Sequence, residues 1–274
     1  MGRRAPGACF VIAAVIMVAT AHRASAGYYG SYQPYQSSDW QDGASATFYG
    51  DDSGLGADFG GACGYGATDI LSLYSTRTAA LSTPLFAQGS GCGQCFELRC
   101  VGSRWCNPGS PSVVVTATNL CPPNWYLPSD NGGWCNPPRR HFDMAPPSFL
   151  VLAQRVAGIV PVQFRRVPCQ RSGGVRLCLQ GNYYWLLVYV MNVAGAGDVS
   201  DVAVRRAGDP DWNYIPATHN WGITYQVFAA LGNAQGLVVR MTTYSSPRKT
   251  IVVGDAIPAG WSTGLCYQGS NNFY

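Results

Sequence analysis

Few side chains in this sequence could carry out acid–base chemistry. Two enzyme signatures are absent: a glycine-rich loop ending in Lys-Ser or Lys-Thr, and His-Glu-x-x-His. Phosphate-loop enzymes and zinc peptidases are therefore excluded, and the candidate chemistry is acid chemistry by carboxyl groups. Residues 44–174 hold seven of these, at Asp51, Asp52, Asp58, Asp69, Glu97, Asp130 and Asp143.

Asp143 has the most informative surroundings of the seven. It follows His141 by two residues and lies between the apolar Phe142 and Met144. Burial beside apolar side chains raises the pKa of a carboxyl group and favours its protonated form. An aspartate can also cap a helix, and a helix is expected to begin near Pro147. The residues alone leave both roles open.

The cysteines indicate an oxidising compartment. Cys9 belongs to an N-terminal leader, and the remaining even number predicts a disulfide framework. The Cys92-x-x-Cys95 spacing is also found in zinc sites, but one such pair beside two histidines in the mature chain is weak evidence. Neither a metal nor any other cofactor is expected. The ten cysteines after the leader are Cys63, Cys92, Cys95, Cys100, Cys106, Cys121, Cys135, Cys169, Cys178 and Cys266.

The chain begins with the features of a secretory signal over residues 1–26. Two arginines precede an apolar run at 8–21, and Ala-Ser-Ala at 24–26 fits a cleavage site. The run is too short for a transmembrane helix, so a secreted protein is expected. The net charge of +4 contains no long basic run, so nucleic acid is not an expected partner. The arginine pairs at 139–140 and 165–166 are interpreted as solvated.

The elements that would position these residues fall into two mainly β modules. Residues 27–43, rich in Tyr, Ser, Gln and Gly, are predicted to form a flexible lead segment. A first module is predicted at 44–174, with strands at 44–49, 95–100, 112–119 and 160–167 and a helix at 147–156. A second, at 175–270, is predicted to be an antiparallel β-sandwich with strands at 175–180, 183–193, 199–206, 222–228, 237–244 and 250–253.

Several long motifs occur in an order that resembles the expansins. They are TFYG at 47–50, GGACGYG at 60–66, CGQCFE at 92–97, GWCNPP at 133–138 and HFD at 141–143. Trp105-Cys106 and the insertion around residues 120–123 resemble the α branch of that family. The resemblance extends from residue 40 to the C-terminus. It implies a six-stranded double-psi β-barrel related to family-45 endoglucanases, followed by an immunoglobulin-like, carbohydrate-binding β-sandwich.

The resemblance also implies site residues in the barrel. It assigns a polar groove to Thr47, Tyr49 and Asp143, with Asp143 at the position of the general acid in the related hydrolases. Asn119 stands where other branches of the family carry an acidic residue. Asp51 lies two residues after Tyr49, the spacing of the hydrolase base, but its Gly-Asp-Asp-Ser-Gly context is typical of a solvent-facing turn.

Disulfide pairs follow from the resemblance as well. They are Cys63–Cys92, Cys95–Cys169, Cys100–Cys106 and Cys121–Cys135. Cys178 and Cys266 lie near the start and the end of the second module. We expect them to form a fifth bridge, the alternative being two free buried thiols.

Aromatic residues concentrate in the second module. Adjacent residues on a strand face opposite sides, so the consecutive aromatics at 183–185 cannot all be core. The resemblance assigns Tyr184, Trp185 and Trp221 to a sugar-binding platform, with Tyr225 as an extension. Trp212 is expected in the core. An exposed apolar patch of this size needs a partner.

The resemblance to the expansins implies a secreted, monomeric, non-hydrolytic protein of the plant cell wall. It would bind cellulose and xyloglucan and loosen their contacts, more strongly at acidic pH. Two alternatives remain. One is an endo-β-1,4-glucanase with Asp143 as acid and Asp51 as base, and the other is a barwin-type binding protein, against which the second module argues.

Overall fold

The computed structural model describes residues 39–52 and 60–274. The predicted secretory signal, and the predicted lead segment up to residue 38, lie outside the described residues. Within these ranges, none of the helices combines the length and the apolar character needed to cross a bilayer.

A closed six-stranded barrel forms the first part of the molecule. Its strands follow each other around the barrel in the order β1-β5-β2-β4-β3-β6. The pairs β1/β5 and β2/β4 are parallel, and the other neighbours are antiparallel. The elements are β1 (Gln41–Phe48), α1 (Ala67–Tyr74), β2 (Thr78–Leu81), α2 (Thr83–Phe86), β3 (Cys95–Cys100), β4 (Ser112–Leu120), β5 (Arg140–Met144), α3 (Pro146–Leu152) and β6 (Val160–Val167).

Side chains along the barrel strands β1 and β5 point alternately into the barrel core and away from it. On β1 and β5, Ala46, Phe142 and Met144 are fully buried in the barrel core. Successive residues of a strand face opposite sides, so residues 45, 47, 141 and 143 share the outer face. Parallel pairing aligns Thr47 with Asp143. The core therefore fixes a polar row on the outside of two neighbouring strands.

In the barrel, two predicted boundaries, the start of the first strand and the end of the helix after β5, differ most from the structure. β1 begins at Gln41 rather than residue 44, because the Arg140 guanidinium donates to the Gln41 amide oxygen at 2.9 Å and draws this polar stretch into pairing. The predicted lead segment therefore ends earlier. The helix α3 ends at Leu152, because Ala153 turns extended and bridges Cys106, and a short 3₁₀ turn follows at Arg155–Ala157.

Two sheets form the second part of the molecule. The five-stranded sheet has the order β11-β12-β8-β7-β15, and the four-stranded sheet has the order β10-β9-β13-β14. A core that includes Val188, Val239 and Trp261 joins their inner faces. The predicted mainly β fold, a six-stranded barrel followed by a β-sheet module, is confirmed. The strands are β7 (Arg176–Gly181), β8 (Trp185–Met191), β9 (Asp201–Arg206), β10 (Ile215–Pro216), β11 (Thr218–Trp221), β12 (Thr224–Phe228), β13 (Leu237–Thr242), β14 (Thr250–Ile257) and β15 (Cys266–Gln268).

A buried polar network connects the two parts. The Arg166 guanidinium of β6 lies 3.1 Å from the Asp198 carboxylate, and the two side chains are almost fully buried, with 1% and 2% exposed. Gln94 and Ser245 also donate to that carboxylate, at 3.2 and 2.5 Å. The interpretation of 165–166 as a solvated pair is therefore wrong for Arg166. The Arg166 charge can be buried because the Asp198 carboxylate of the second module pairs with it.

Five disulfides link the described residues, in the pairs that were expected. Cys178–Cys266 joins β7 to β15, directly opposite one another in the ladder, so these residues are not free thiols. The other pairs are Cys63–Cys92, Cys95–Cys169, Cys100–Cys106 and Cys121–Cys135.

Candidate functional site

A chain of hydrogen bonds runs along the polar row outside the barrel. The Thr47 hydroxyl donates to Oδ1 of Asp143 at 2.5 Å and lies 2.8 Å from Nε2 of His141. Nδ1 of His141 lies 2.8 Å from the Ser45 hydroxyl. Ala145 is the N-cap residue of α3, and no side chain hydrogen-bonds to the N-terminal end of this helix. Asp143 is therefore held by β1 and does not act as a helix cap.

Burial controls the charge states of this row. Desolvation raises the pKa of Asp143, and the hydrogen bond from Thr47 offsets only part of the rise. Desolvation, assisted by the Arg139 charge, lowers the pKa of His141 to about 3, so the imidazole is neutral at ordinary pH. The phenol pKa of Tyr49 is raised by burial and by nearby Asp143, against a hydrogen bond with Asn119. The site thus favours uncharged groups and a protonatable carboxyl.

Asn119 links the polar row to the segment at Ala62. Its Oδ1 accepts from the backbone N–H of Ala62 at 2.6 Å and from that of Leu120 at 2.9 Å. Its side chain also hydrogen-bonds Tyr49. Thr47, Tyr49, Asn119 and Asp143, which are all partly exposed, therefore form one polar cluster at the position of the predicted groove.

Asp51 lies in a different environment. It is exposed after Gly50, beside Asp52, whose carboxylate pairs with Arg155 at 2.5 Å. Within the described residues, the hydrogen bonds that link Asp143 to its surroundings run through hydroxyl and imidazole groups, not through a second carboxylate.

One group of possible metal ligands occurs among the described residues. Ligand atoms of Asp69, Cys178 and Cys266 lie within 4.8 Å of one another. Both sulfurs are bonded to each other, so neither can become the thiolate that a metal would require. The Asp69 carboxylate instead pairs with Arg176 at 3.3 Å.

An aromatic face lies on the outside of the five-stranded sheet. Trp185 pairs with Phe228, and Trp221 pairs with Thr224, which in turn pairs with Tyr189. Pairing preserves the side of the sheet, so Trp185, Phe228 and Trp221 face the same way. Trp185 and Trp221 are 36% and 44% exposed, and the neighbouring Tyr184 is 73% exposed. Trp221 and Trp185 pair with Thr224 and Phe228, which are four residues apart on β12. At ~3.3 Å per residue, the two tryptophans are therefore about 13 Å apart along the strand direction.

Tyr225 does not belong to this face, contrary to the prediction. It occupies the opposite parity of β12 from Phe228, is 1% exposed, and packs in the core of the sandwich. Its hydroxyl donates to the backbone carbonyl of Val199 at 2.5 Å. This hydrogen bond explains how a tyrosine is accommodated inside the sandwich.

Trp212 is also placed differently from the prediction. It is 83% exposed, because it lies between β9 and β10 and not on a core-facing strand position. The loop that contains Trp212 connects two strands of the four-stranded sheet. Trp212 is therefore an exposed tryptophan away from the aromatic face.

The groove and the aromatic face meet at one residue. The Trp221 indole N–H donates to the backbone carbonyl of Ala62, whose N–H donates to Asn119. The Trp221 ring also packs against Phe86 of α2, with ring centroids 5.6 Å apart. Phe228 of the aromatic face and Ser45 of the polar row were not predicted from the sequence. Residues two apart on a strand lie on the same side of the sheet. Ser45 is two residues from Thr47, and Phe228 is two residues from Gln226, and this spacing could have predicted their positions.

Two family models match the chain. One, described as lytic transglycolase, matches residues 78–164, and the other, described as expansin C-terminal domain, matches residues 175–258. Among solved structures, the apo expansin of Clavibacter michiganensis has a TM-score of 0.60 at 18% identity, over 84% of this chain and 96% of that one. A point mutant of that expansin in complex with cellohexaose has the same TM-score at 16% identity, over 85% and 98% of the two chains.

Curated relatives are much more similar in sequence. Expansin-A17 of Oryza sativa subsp. japonica is 75% identical over 245 residues, which cover 89% of this chain and 86% of the relative. Expansin-A7 of Arabidopsis thaliana is 55% identical over 230 residues, which cover 84% and 85% of the two chains. Together with the barrel, the second module and its matching family model, these similarities show that the chain belongs to the α-expansins.

Proposed function

We propose that this protein loosens the plant cell wall from outside the cell by binding cellulose and xyloglucan without cleaving them. The aromatic face formed by Tyr184, Trp185, Trp221 and Phe228 binds the flat side of a glucan, and the groove binds a neighbouring chain. The five disulfides suit a secreted protein. An expansin of similar fold has been crystallised with cellohexaose, which supports a β-glucan as the ligand.

The observation that carries the non-hydrolytic part is the surroundings of Asp143. An inverting glycosidase needs a second carboxylate about 6.5–9.5 Å away to activate water. Among the described residues, the groove partners of Asp143 are Thr47, Tyr49 and Asn119, which are hydroxyl, phenol and amide groups. A buried acid with such partners can donate a hydrogen bond to a sugar oxygen, but these groups supply no general base.

The raised pKa of Asp143 supports activity under acidic conditions. The protonated carboxyl is a donor, and its population falls as pH rises through the elevated pKa. Binding in the groove should weaken over the same interval. An acidic wall therefore favours the form that competes for contacts between polymers.

Cellulose pull-down tests the aromatic face. We expect Trp185→Ala, Trp221→Ala and Phe228→Ala each to weaken cellulose binding several-fold, because each removes apolar area from one flat surface. Trp212→Ala is the matched control, since it removes an exposed tryptophan from the loop between β9 and β10, outside the aromatic face. Binding that is equally reduced in the control, or unchanged in the three variants, would contradict the assignment.

Wall extension measured beside sugar release tests the groove. We expect Asp143→Ala to reduce extension of isolated walls, because it removes the hydrogen-bond donor that the protonated carboxyl would present to a sugar oxygen. Reducing sugar released from soluble β-glucan should stay at background for the unmodified protein. Sugar release that Asp143→Asn and Asp51→Asn both abolish would establish the endoglucanase instead.

A further inference from the structure

The hydrogen-bond chain outside the barrel extends beyond the groove. It continues from Asp143 through Thr47, His141 and Ser45 to Arg139, whose Nη1 donates to the Ser45 hydroxyl at 3.4 Å. His141 is fully buried at its centre. The proposed role of the groove uses only the end of this chain, which leaves the buried imidazole without an assigned part.

The number of protons available to each group determines the donor-to-acceptor direction of these hydrogen bonds. Thr47 has one hydroxyl proton, which it donates to the Asp143 carboxylate, so its contact with His141 requires an N–H on Nε2. A neutral imidazole with the proton on Nε2 has a lone pair on Nδ1, which must accept from Ser45. The Ser45 oxygen then accepts from the Arg139 guanidinium.

The charges at the two ends favour the same direction. Arg139 is a cation with donors only, so it faces the oxygen lone pairs of Ser45. Every following hydrogen points towards the Asp143 carboxylate. In the reverse direction the Nδ1–H of His141 would point towards the cation, and Ser45 would accept from both sides. The elements packed around the row place Tyr49 beside Asp143 and Arg139 beside His141, and β2 and β4 contribute the uncharged Ala80 and Asn119.

We propose that His141 is a positioning residue that fixes this direction, so that Thr47 always donates to Oδ1 of Asp143 and the acid proton resides on Oδ2. The imidazole thereby presents the donor of Asp143 away from Thr47 and towards a ligand in the groove. Only the identity of that ligand, a β-glucan, rests on the proposed function. The direction of the chain does not depend on it.

The tautomer of His141 is measured by ¹⁵N NMR of histidine-labelled protein. We expect a protonated Nε2 and an unprotonated Nδ1 from neutral to mildly acidic pH, with the signals assigned by their loss in His141→Gln. His219 provides the second histidine signal of the mature chain. Observation of the Nδ1–H tautomer at His141 would overturn the proposal with no variant needed.

The carboxyl titration of Asp143, followed by ¹³C NMR, tests the positioning. In His141→Phe, Thr47 loses the donor that orients it, and the ionised carboxylate loses stabilisation. We expect its titration midpoint to rise by about one pH unit, equivalent to a tenfold change in protonation equilibrium. In His141→Gln, the amide N–H can still donate to Thr47, so the midpoint should stay close to that of the unmodified protein. An unmoved midpoint in His141→Phe would contradict the proposal.

Arg139→Gln provides a second variant in case His141→Phe does not fold. It weakens the cationic end, so a detectable fraction of the Nδ1–H tautomer should appear. An unchanged tautomer ratio would count against the role of the charge. Cellohexaose binding against pH separates this proposal from the proposed function. The expected tautomer and midpoint together with pH-independent affinity would support the direction of the chain and refute acid-dependent binding.

Discussion

Asp143 takes its environment from its two neighbours in the sequence. Phe142 and Met144 are buried in the barrel core, so the carboxyl group between them must face the outer side of β5, where Thr47 of β1 is aligned with it. The apolar flanks were visible in the sequence and predicted burial correctly. The alternative of a helix cap failed because the chain continues as a strand to Met144 before α3 begins.

Asp143 should make the stability of the protein depend on pH. Burial raises its pKa above the ordinary value of 3.8, so the folded state binds this proton more tightly than the unfolded state does. Its contribution is therefore most favourable in acid and is lost as pH rises from about 4 through the elevated pKa. We expect Asp143→Asn to raise the melting temperature near neutral pH and to have little effect at the acid end.

Glu97→Gln is the control with the opposite sign. Desolvation acts to raise the Glu97 pKa, but hydrogen bonds from Ser112 and Arg165 outweigh it and leave the pKa lowered. The ionised form of Glu97 therefore stabilises the fold above its ordinary pKa, and the glutamine should lower the melting temperature near neutral pH. Parallel effects of the two substitutions across the pH range would contradict this reasoning.

At the scale of elements, runs of β-branched and aromatic residues predicted most of the longer strands, although β5 was missed. The bounds of β3 and β6 agree with the prediction, and β4 differs by one residue. β2 was missed, because all four of its residues are buried and the sequence Thr-Ala-Ala-Leu shows no alternation. The short β10, β11 and β15 were missed because two to four residues carry too little pattern.

The assignment of Tyr225 failed for a related reason. Its role was taken from a motif position, whereas the side of the sheet is set by the register of β12 against β8, which pairs it with the buried Val188. Trp185 and Trp221 occupy the outward parity and were assigned correctly to the exposed surface. The sequence identifies aromatic residues, but only the register tells which of them leave the core.

The disulfide between β7 and β15 should be worth more than the shortest one. Cys178 and Cys266 are separated by 88 residues, whereas Cys100 and Cys106 are separated by six. Loop-closure entropy predicts a loss of about 4–5 kcal/mol for Cys178→Ala with Cys266→Ala, against about 2 kcal/mol for the double alanine variant of the short loop. Urea unfolding of both variants measures the difference. An equal or reversed order would show that loop entropy does not control these bridges.

At the scale of the whole molecule, the two modules share buried polar groups as well as a short connection. Arg166 and Asp198 come from different modules, and Gln94 of the barrel donates to the same carboxylate. The sequence could not predict this pair, since the partners lie 32 residues apart and neither has a local pattern that indicates burial.

Removing one member of this pair should be costly. Arg166→Met leaves the buried Asp198 carboxylate without its cation, and a loss of about 3–5 kcal/mol in the free energy of unfolding is expected. Adding Asp198→Asn should recover part of that loss, because the uncompensated charge disappears while Ser245 still has an acceptor. Chemical denaturation of the single and double variants checks this. A double variant no more stable than Arg166→Met would refute it.

The hydrogen bond from the Trp221 indole to Ala62 has a mechanical consequence. If the proposed function holds, a polymer that pulls on this ring would also load the segment at Ala62, and through it the Asn119 side chain. Tension on one polysaccharide chain would then be transmitted to the place where a second chain is held. The same tether means that the second module, expressed by itself, would present a tryptophan free to swing, and its affinity for cellulose would underestimate that of the intact protein.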